Sequence, residues 1–174
     1  MKTAIQLVLI YFGFLQILAP MLMVVPCIIY LLATTGAVDK DSLMQMIIIP
    51  AQMTGILLMV IYLWKAGYIS KEKTTWSAVS PSYLGLSVVS LLSCSWLVST
   101  LISHMEWLPN IMEQTFDILQ SGWGGILAIA VAGPVLEELL FRGAITKALL
   151  KQYDPAKAIL ISAFIFGIFH INPI

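Results

Sequence analysis

The sequence predicts an all-α, polytopic membrane helix bundle, and three observations carry that prediction. Sixty per cent of the 174 residues are apolar and only 10% are charged, whereas soluble domains average about 45–50% and about 25%. The nine basic and nine acidic residues are too few to cover a soluble domain of this length. Those charges also fall in short clusters separated by long uncharged stretches, as expected when each costs about 2.5–3.5 kcal/mol at the centre of a membrane helix. High hydrophobicity excludes disorder. A net charge of zero leaves no basic patch to neutralise phosphates, so nucleic acid is not an expected partner.

The uncharged windows predict about five transmembrane helices, over residues 5–32, 43–64, 83–102, 122–146 and 157–174, in one helical domain. The first carries Pro20 and Pro26 and is expected to be long and either kinked or tilted. Pro50 and Gly55 lie in the second, and Ser80-Pro81 marks the start of the third. The fifth only just reaches the length of about 20 residues that a span needs. Lysines then orient the chain. Lys2, Lys65, Lys71, Lys73, Lys147, Lys151 and Lys157 fall on one side and Lys40 alone on the other, which predicts a multi-pass cell-membrane protein with a cytoplasmic N-terminus.

Between the third and fourth spans, Trp107 and Phe116 lie among Glu106, Glu113 and Asp117 and suggest an interfacial segment. His104 reads there as a solvated side chain. The serines at 87, 90, 93, 95 and 99 suggest a small-residue packing face on the third span. Cys27 and Cys94 lie in apolar stretches without metal-site spacing and read as small buried hydrophobes.

The informative residues are charges placed where a membrane helix should have none. Glu137, Glu138 and Arg142 follow an uncharged run of nineteen residues, 118–136. Intramembrane ionisable groups generally face a bundle interior or a water-filled cavity. Glu138 and Arg142 are four apart on a helix and can pair, leaving Glu137, about 100° further round, as a candidate general base. Pro134 frees the Ala130 carbonyl from its helical hydrogen bond and makes room for a kink or a water. The fifth span carries one histidine, His170. At about 1.5 Å per residue, Glu137 lies about 15 Å above Lys147 and His170 about 20 Å above Lys157. A short connection makes the two helices antiparallel neighbours, so the carboxylates and the imidazole are expected to meet at similar depth. Such a pair suits the activation of water.

At these positions the sequence resembles the CPBP family of intramembrane proteases, which includes the type II CAAX prenyl endopeptidases and the bacterial abortive-infection and bacteriocin-processing proteins. The EExxxR motif is matched by Glu137, Glu138 and Arg142, and the FxxxH motif by Phe166 and His170. The likeness covers residues 122–174. It implies a bacterial membrane-embedded metalloendopeptidase acting on a peptide or membrane-protein substrate in the lipid bilayer, with Glu137, Glu138, Arg142 and His170 as its catalytic residues. It further implies a divalent metal, zinc being the expected ion, with His170 and Glu137 among its ligands. The family continues beyond FxxxH with further helices bearing a later His and an Asn or Asp, whereas four residues follow His170 here and Asn172 is too close to replace them. The sequence is thus expected to be either a fragment of a longer protein or a truncated copy without activity. Two other readings stay open: a non-catalytic immunity or scaffold protein of the same fold, and a transporter component using the charged set as an ion path.

Overall fold

A computed structural model describes residues 1–69, 79–104 and 113–170. Among these residues six helices follow in order: α1 (Lys2–Thr35), α2 (Lys40–Lys65), α3 (Pro81–Ile102), α4 (Glu113–Gln120), α5 (Trp123–Leu150) and α6 (Pro155–Phe169). No strand occurs among the described residues, so the all-α membrane bundle is borne out. Helices α1, α2, α3 and α5 are long and apolar enough to cross a membrane, and α6 is a shorter apolar helix. The expected end of the fifth span, 171–174, lies outside the described residues, as do Lys71, Lys73, Glu106 and Trp107.

Local chemistry sets the helix ends. Asp39, Ser80 and Asp154 each sit just before a helix and accept a backbone N–H from its first turn, at 2.9 Å from Ser42, 3.4 Å from Tyr83 and 3.1 Å from Lys157. Such caps satisfy donors that have no partner inside the helix. Pro81 and Pro155 follow two of these caps, where a missing N–H costs nothing. Gly36 closes α1 in the left-handed conformation at φ 72°, which glycine adopts without strain.

Two helices contain a π-helical turn just before a proline. Gly13–Leu18 precedes Pro20, and the N–H of Ala19 bonds the carbonyl of Phe14. Ala128–Ala132 precedes Pro134, and the N–H of Gly133 bonds the carbonyl of Ala128. Each bond skips five residues, and each proline lacks the N–H that would have served the carbonyl four residues earlier. The prolines therefore widen a turn and leave the helix continuous. A third π-helical segment, Glu138–Thr146, follows in α5.

Helices α1, α2 and α5 form the core. Leu7 of α1, Met59 and Leu63 of α2, and Leu136, Leu140, Ile145 and Leu149 of α5 are fully buried. Helix α1 runs antiparallel to both partners, and its terminal amine donates to Gln152 Oε1 at 2.8 Å. Lys2, Lys65, Lys147 and Lys151 consequently lie towards one end of the bundle. Helix α6 packs back on α5 through Ala158, which is fully buried. Helix α3 is exposed along its length, so its serines form no packing face among the described residues. Ser93 instead returns its hydroxyl to the Val89 carbonyl at 2.8 Å, and Cys94 is exposed where a buried side chain was expected. The expected interfacial segment contains the amphipathic helix α4, anchored by buried Leu119.

Gly55 marks the closest approach of α2 to the wide turn of α1. A Cβ there would lie 3.0 Å from Leu15 Cγ and 3.1 Å from its Cα. Gly55→Val is expected to destabilise the bundle by about 1–3 kcal/mol through overpacking, read as a lowered thermal midpoint in detergent. An unchanged midpoint would show that the two helices do not meet there.

Candidate functional site

Helix α5 buries one side and opens the other. Leu136, Leu140, Ala144 and Ile145 face the core, while Glu137, Glu138, Arg142 and Thr146 line a groove of about 850 Å³ between α5 and α6. Pro134, Phe141, Ile159 and Phe166 supply apolar walls, and Leu91 of α3 approaches from outside. The π-helical segment begins at Glu138 and ends at Thr146, so it underlies the motif and the floor of the groove. Wide turns of this kind recur at functional sites because they redirect side chains without ending the helix.

The two helices meet in antiparallel register. Glu137 faces His170, Phe141 packs edge-on against Phe166 at 4.9 Å between ring centres, and Thr146 donates to Ser162 at 2.9 Å. Leu149 and Ala158 are fully buried at the end of the same series. Ser162 is itself buried, so its hydroxyl bond to Thr146 replaces water that the membrane cannot supply.

His170 is held by the helix that carries it. Its ring stacks on Phe166 at 4.1 Å between centres, and its Nδ1 lies 2.9 Å from the Phe166 carbonyl. A carbonyl only accepts, so the Nδ1 proton points there and Nε2 is left facing Glu137 Oε1 at 3.6 Å. This separation is too long for a hydrogen bond. With His170 neutral, both atoms offer only lone pairs, and a water donating to both would satisfy them. Glu137 is 29% exposed and His170 47%, so the pair is partly open, with Glu137 on the wall of the groove.

Glu138 belongs to a separate pair. Arg142 donates to its Oε1 at 2.9 Å, and both groups project into the groove, more exposed than Glu137. The four motif residues thus divide into a tight ion pair and a looser carboxylate–imidazole pair. His104 caps the far end of α3, with Nδ1 2.7 Å from the Thr100 carbonyl, and takes no part in either.

Sequence reasoning missed Tyr11. Its ring packs against the core formed with α5. A signal was present: on the inward face of α1, between buried Leu7 and Leu15, it carries the only hydroxyl.

Among the described residues no group of three or more His, Cys, Asp or Glu side chains gathers to hold a metal. Glu137 and His170 supply two donors, and Arg142 occupies Glu138. A catalytic zinc takes three protein ligands, so the donor set described here falls one short.

A polytopic helical membrane protein with an ionisable groove between two neighbouring helices is thus defined by fold and site. Residues 119–174 match the family described as Rce1-like: type II CAAX prenyl endopeptidase Rce1-like, over about one third of the chain. The match contains both motifs and the whole α5–α6 pair, and it bears out the resemblance read from them. The segment is similar to that family over these residues. No curated protein and no solved structure matches the chain.

The hydroxyl pair at the groove floor can be tested alone. A double-mutant cycle of Thr146→Val and Ser162→Ala is expected to give a coupling of about 0.6 kcal/mol, within the range for hydrogen bonds between membrane helices. Additive shifts in unfolding free energy would show that the bond does not clamp α5 to α6.

Proposed function

We propose that the protein is a membrane-embedded endopeptidase in which Glu137 and His170 activate a water for attack on a peptide bond. The observation that carries this reading is the 3.6 Å approach of Glu137 Oε1 to His170 Nε2 inside the segment that matches the protease family. A water to one side of this pair could donate to both lone pairs while lying beside an apolar groove.

In the proposed reaction Glu137 takes a proton from that water as its oxygen bonds to the scissile carbonyl carbon. The protonated Glu137 then returns the proton to the departing amine as the carbon–nitrogen bond breaks, which regenerates the carboxylate. His170, with its Nδ1 proton committed to the Phe166 carbonyl, orients the water through Nε2. The Glu138–Arg142 pair keeps a second carboxylate occupied, so that Glu137 alone acts as base. A zinc ion bound by Glu137 and His170 would need a third ligand from outside the described residues, and none of these steps is assigned to it.

The substrate is a peptide or membrane-protein segment entering the groove, of the CAAX or bacteriocin-precursor kind. The clustering of Lys2, Lys65, Lys147 and Lys151 supports a cytoplasmic N-terminus. Lipid covers the exposed apolar faces.

Glu137→Gln preserves shape and removes the base. In proteoliposomes carrying a fluorogenic CAAX-type peptide it is expected to lower turnover by about 100-fold or more, and His170→Ala to do the same. Turnover equal to the parent in both variants would overturn the mechanism.

A further inference from the structure

We propose that a cleft between α1 and α2, at the lysine-bearing end of the bundle, binds the headgroup of an anionic phospholipid, with Lys2 and Lys65 supplying the counter-charge. The cleft has a volume of about 400 Å³ and shares no lining residue with the groove between α5 and α6. Thr3 and Gln6 of α1 meet Tyr62 of α2 and Tyr68 around it. Local structure sets them there. Ala4 and Leu7 of α1 point into the core shared with Leu63, which leaves Thr3, Gln6 and Ile10, three and four residues apart, as the flanking stripe. Beyond α2, Gly67 takes the left-handed conformation at φ 76°. The N–H groups of Gly67 and Tyr68 then bond the carbonyls of Trp64 and Leu63 at 3.1 and 2.9 Å. This closing turn folds the chain back and sets Tyr68 beside the end of the helix.

The charges and the polar groups point to one ligand. Lys2 and Gln6 are four apart on α1, and Tyr62 and Lys65 three apart on α2, so each lysine shares a helix face with a cleft residue and lies about one turn nearer the helix end. The helices are antiparallel, which puts both lysines at the same mouth. Both are exposed, and among the described residues neither pairs with a carboxylate. The side-chain amide of Gln6 and the hydroxyls of Thr3, Tyr62 and Tyr68 likewise have no hydrogen-bond partner among the described residues, and polar groups bordering lipid need one. On the side away from the lysines, Leu9 and Ile10 continue the cleft towards the bilayer centre. A phospholipid matches this order from the water inwards: a phosphodiester for the two cations, glycerol and ester oxygens for the amide and hydroxyls, and an acyl chain for Leu9 and Ile10. An anionic headgroup fits better than a choline one, which would set a third cation beside the lysines. Basic pockets between membrane helices are suited to such headgroups.

The test reads the thermal midpoint of the full chain in detergent with phosphatidylglycerol, phosphatidylcholine or soluble glycerol phosphate added, and native mass spectrometry reads the lipid retained. Phosphatidylglycerol at saturation is expected to raise the midpoint by about 5 °C, and the other two by less than about 1 °C. Lys2→Gln with Lys65→Gln should remove most of that rise, and Gln6→Leu with Tyr62→Phe should weaken it. Lys151→Gln with Lys157→Gln takes the same charge from the same end, outside the cleft, and should keep the rise. An equal loss in that control pair would reduce the effect to diffuse attraction and overturn the proposal. Equal stabilisation by phosphatidylcholine would overturn it too, since the lysines would then have no part. Glycerol phosphate acting as well as the lipid would make the cleft a site for free anions instead. Absence of any shift or retained phosphatidylglycerol would mean that water alone fills the cleft.

Discussion

Everything in this bundle depends on how a charged helix is kept inside a hydrocarbon layer. Helix α5 carries two carboxylates and a guanidinium well within its apolar length, and it contacts α1, α2 and α6. Its solution is a strict division of sides. Leucine, alanine and isoleucine side chains wedge between α1 and α2, and every ionisable group of the motif turns towards α6. Intramembrane charges are tolerated where they pair or line a cavity, and here they do both.

That division also explains why α6 has so little chemistry of its own. It contributes a histidine, a serine and one aromatic contact to α5, each opposite a residue of matching kind. The polar contacts lie at the two ends of the groove and the aromatic one between them, so the register of the helices is fixed at three depths. A shift by one residue would break all three. The imidazole proton is similarly constrained, because the Phe166 carbonyl accepts from only one ring nitrogen.

Much of this was legible in the sequence because charge is expensive in lipid. Lys2, Asp39 and Lys65 marked helix ends closely, and depth counted from Lys147 and Lys157 brought Glu137 and His170 together. The same rule misled at the end of α5. Charge cost alone sets a boundary at Lys147, yet the helix runs to Leu150, since a lysine in a last turn favours the helix dipole and can snorkel towards water. Pro20 and Pro134 pointed to two of the wide turns only as places for a kink, and the third, Glu138–Thr146, left no trace, because the choice between bonding four or five residues back there depends on what packs against the turn. Tyr11 was hidden for another reason: in a span without charges a phenol counts as one more aromatic residue. The exposed α3 was misread because small polar residues suit a packing face or a lipid-exposed helix that bonds its hydroxyls back to its own carbonyls.

The wide turns of α5 carry a consequence for how this site can change over generations. A π-helical turn is in effect one residue more than an α-helix of the same course needs. Deleting a single residue within Glu138–Thr146 would leave hydropathy, length class and motif composition nearly untouched. The wide turn would close to an α-helical one, so the residues before and after it would keep their faces and only those inside it would shift against α6. A further insertion has no such outlet and would rotate everything beyond it by about 100°, carrying Thr146 away from Ser162 and the leucines out of the core. The wide turn therefore leaves this helix more tolerant of losing a residue than of gaining one.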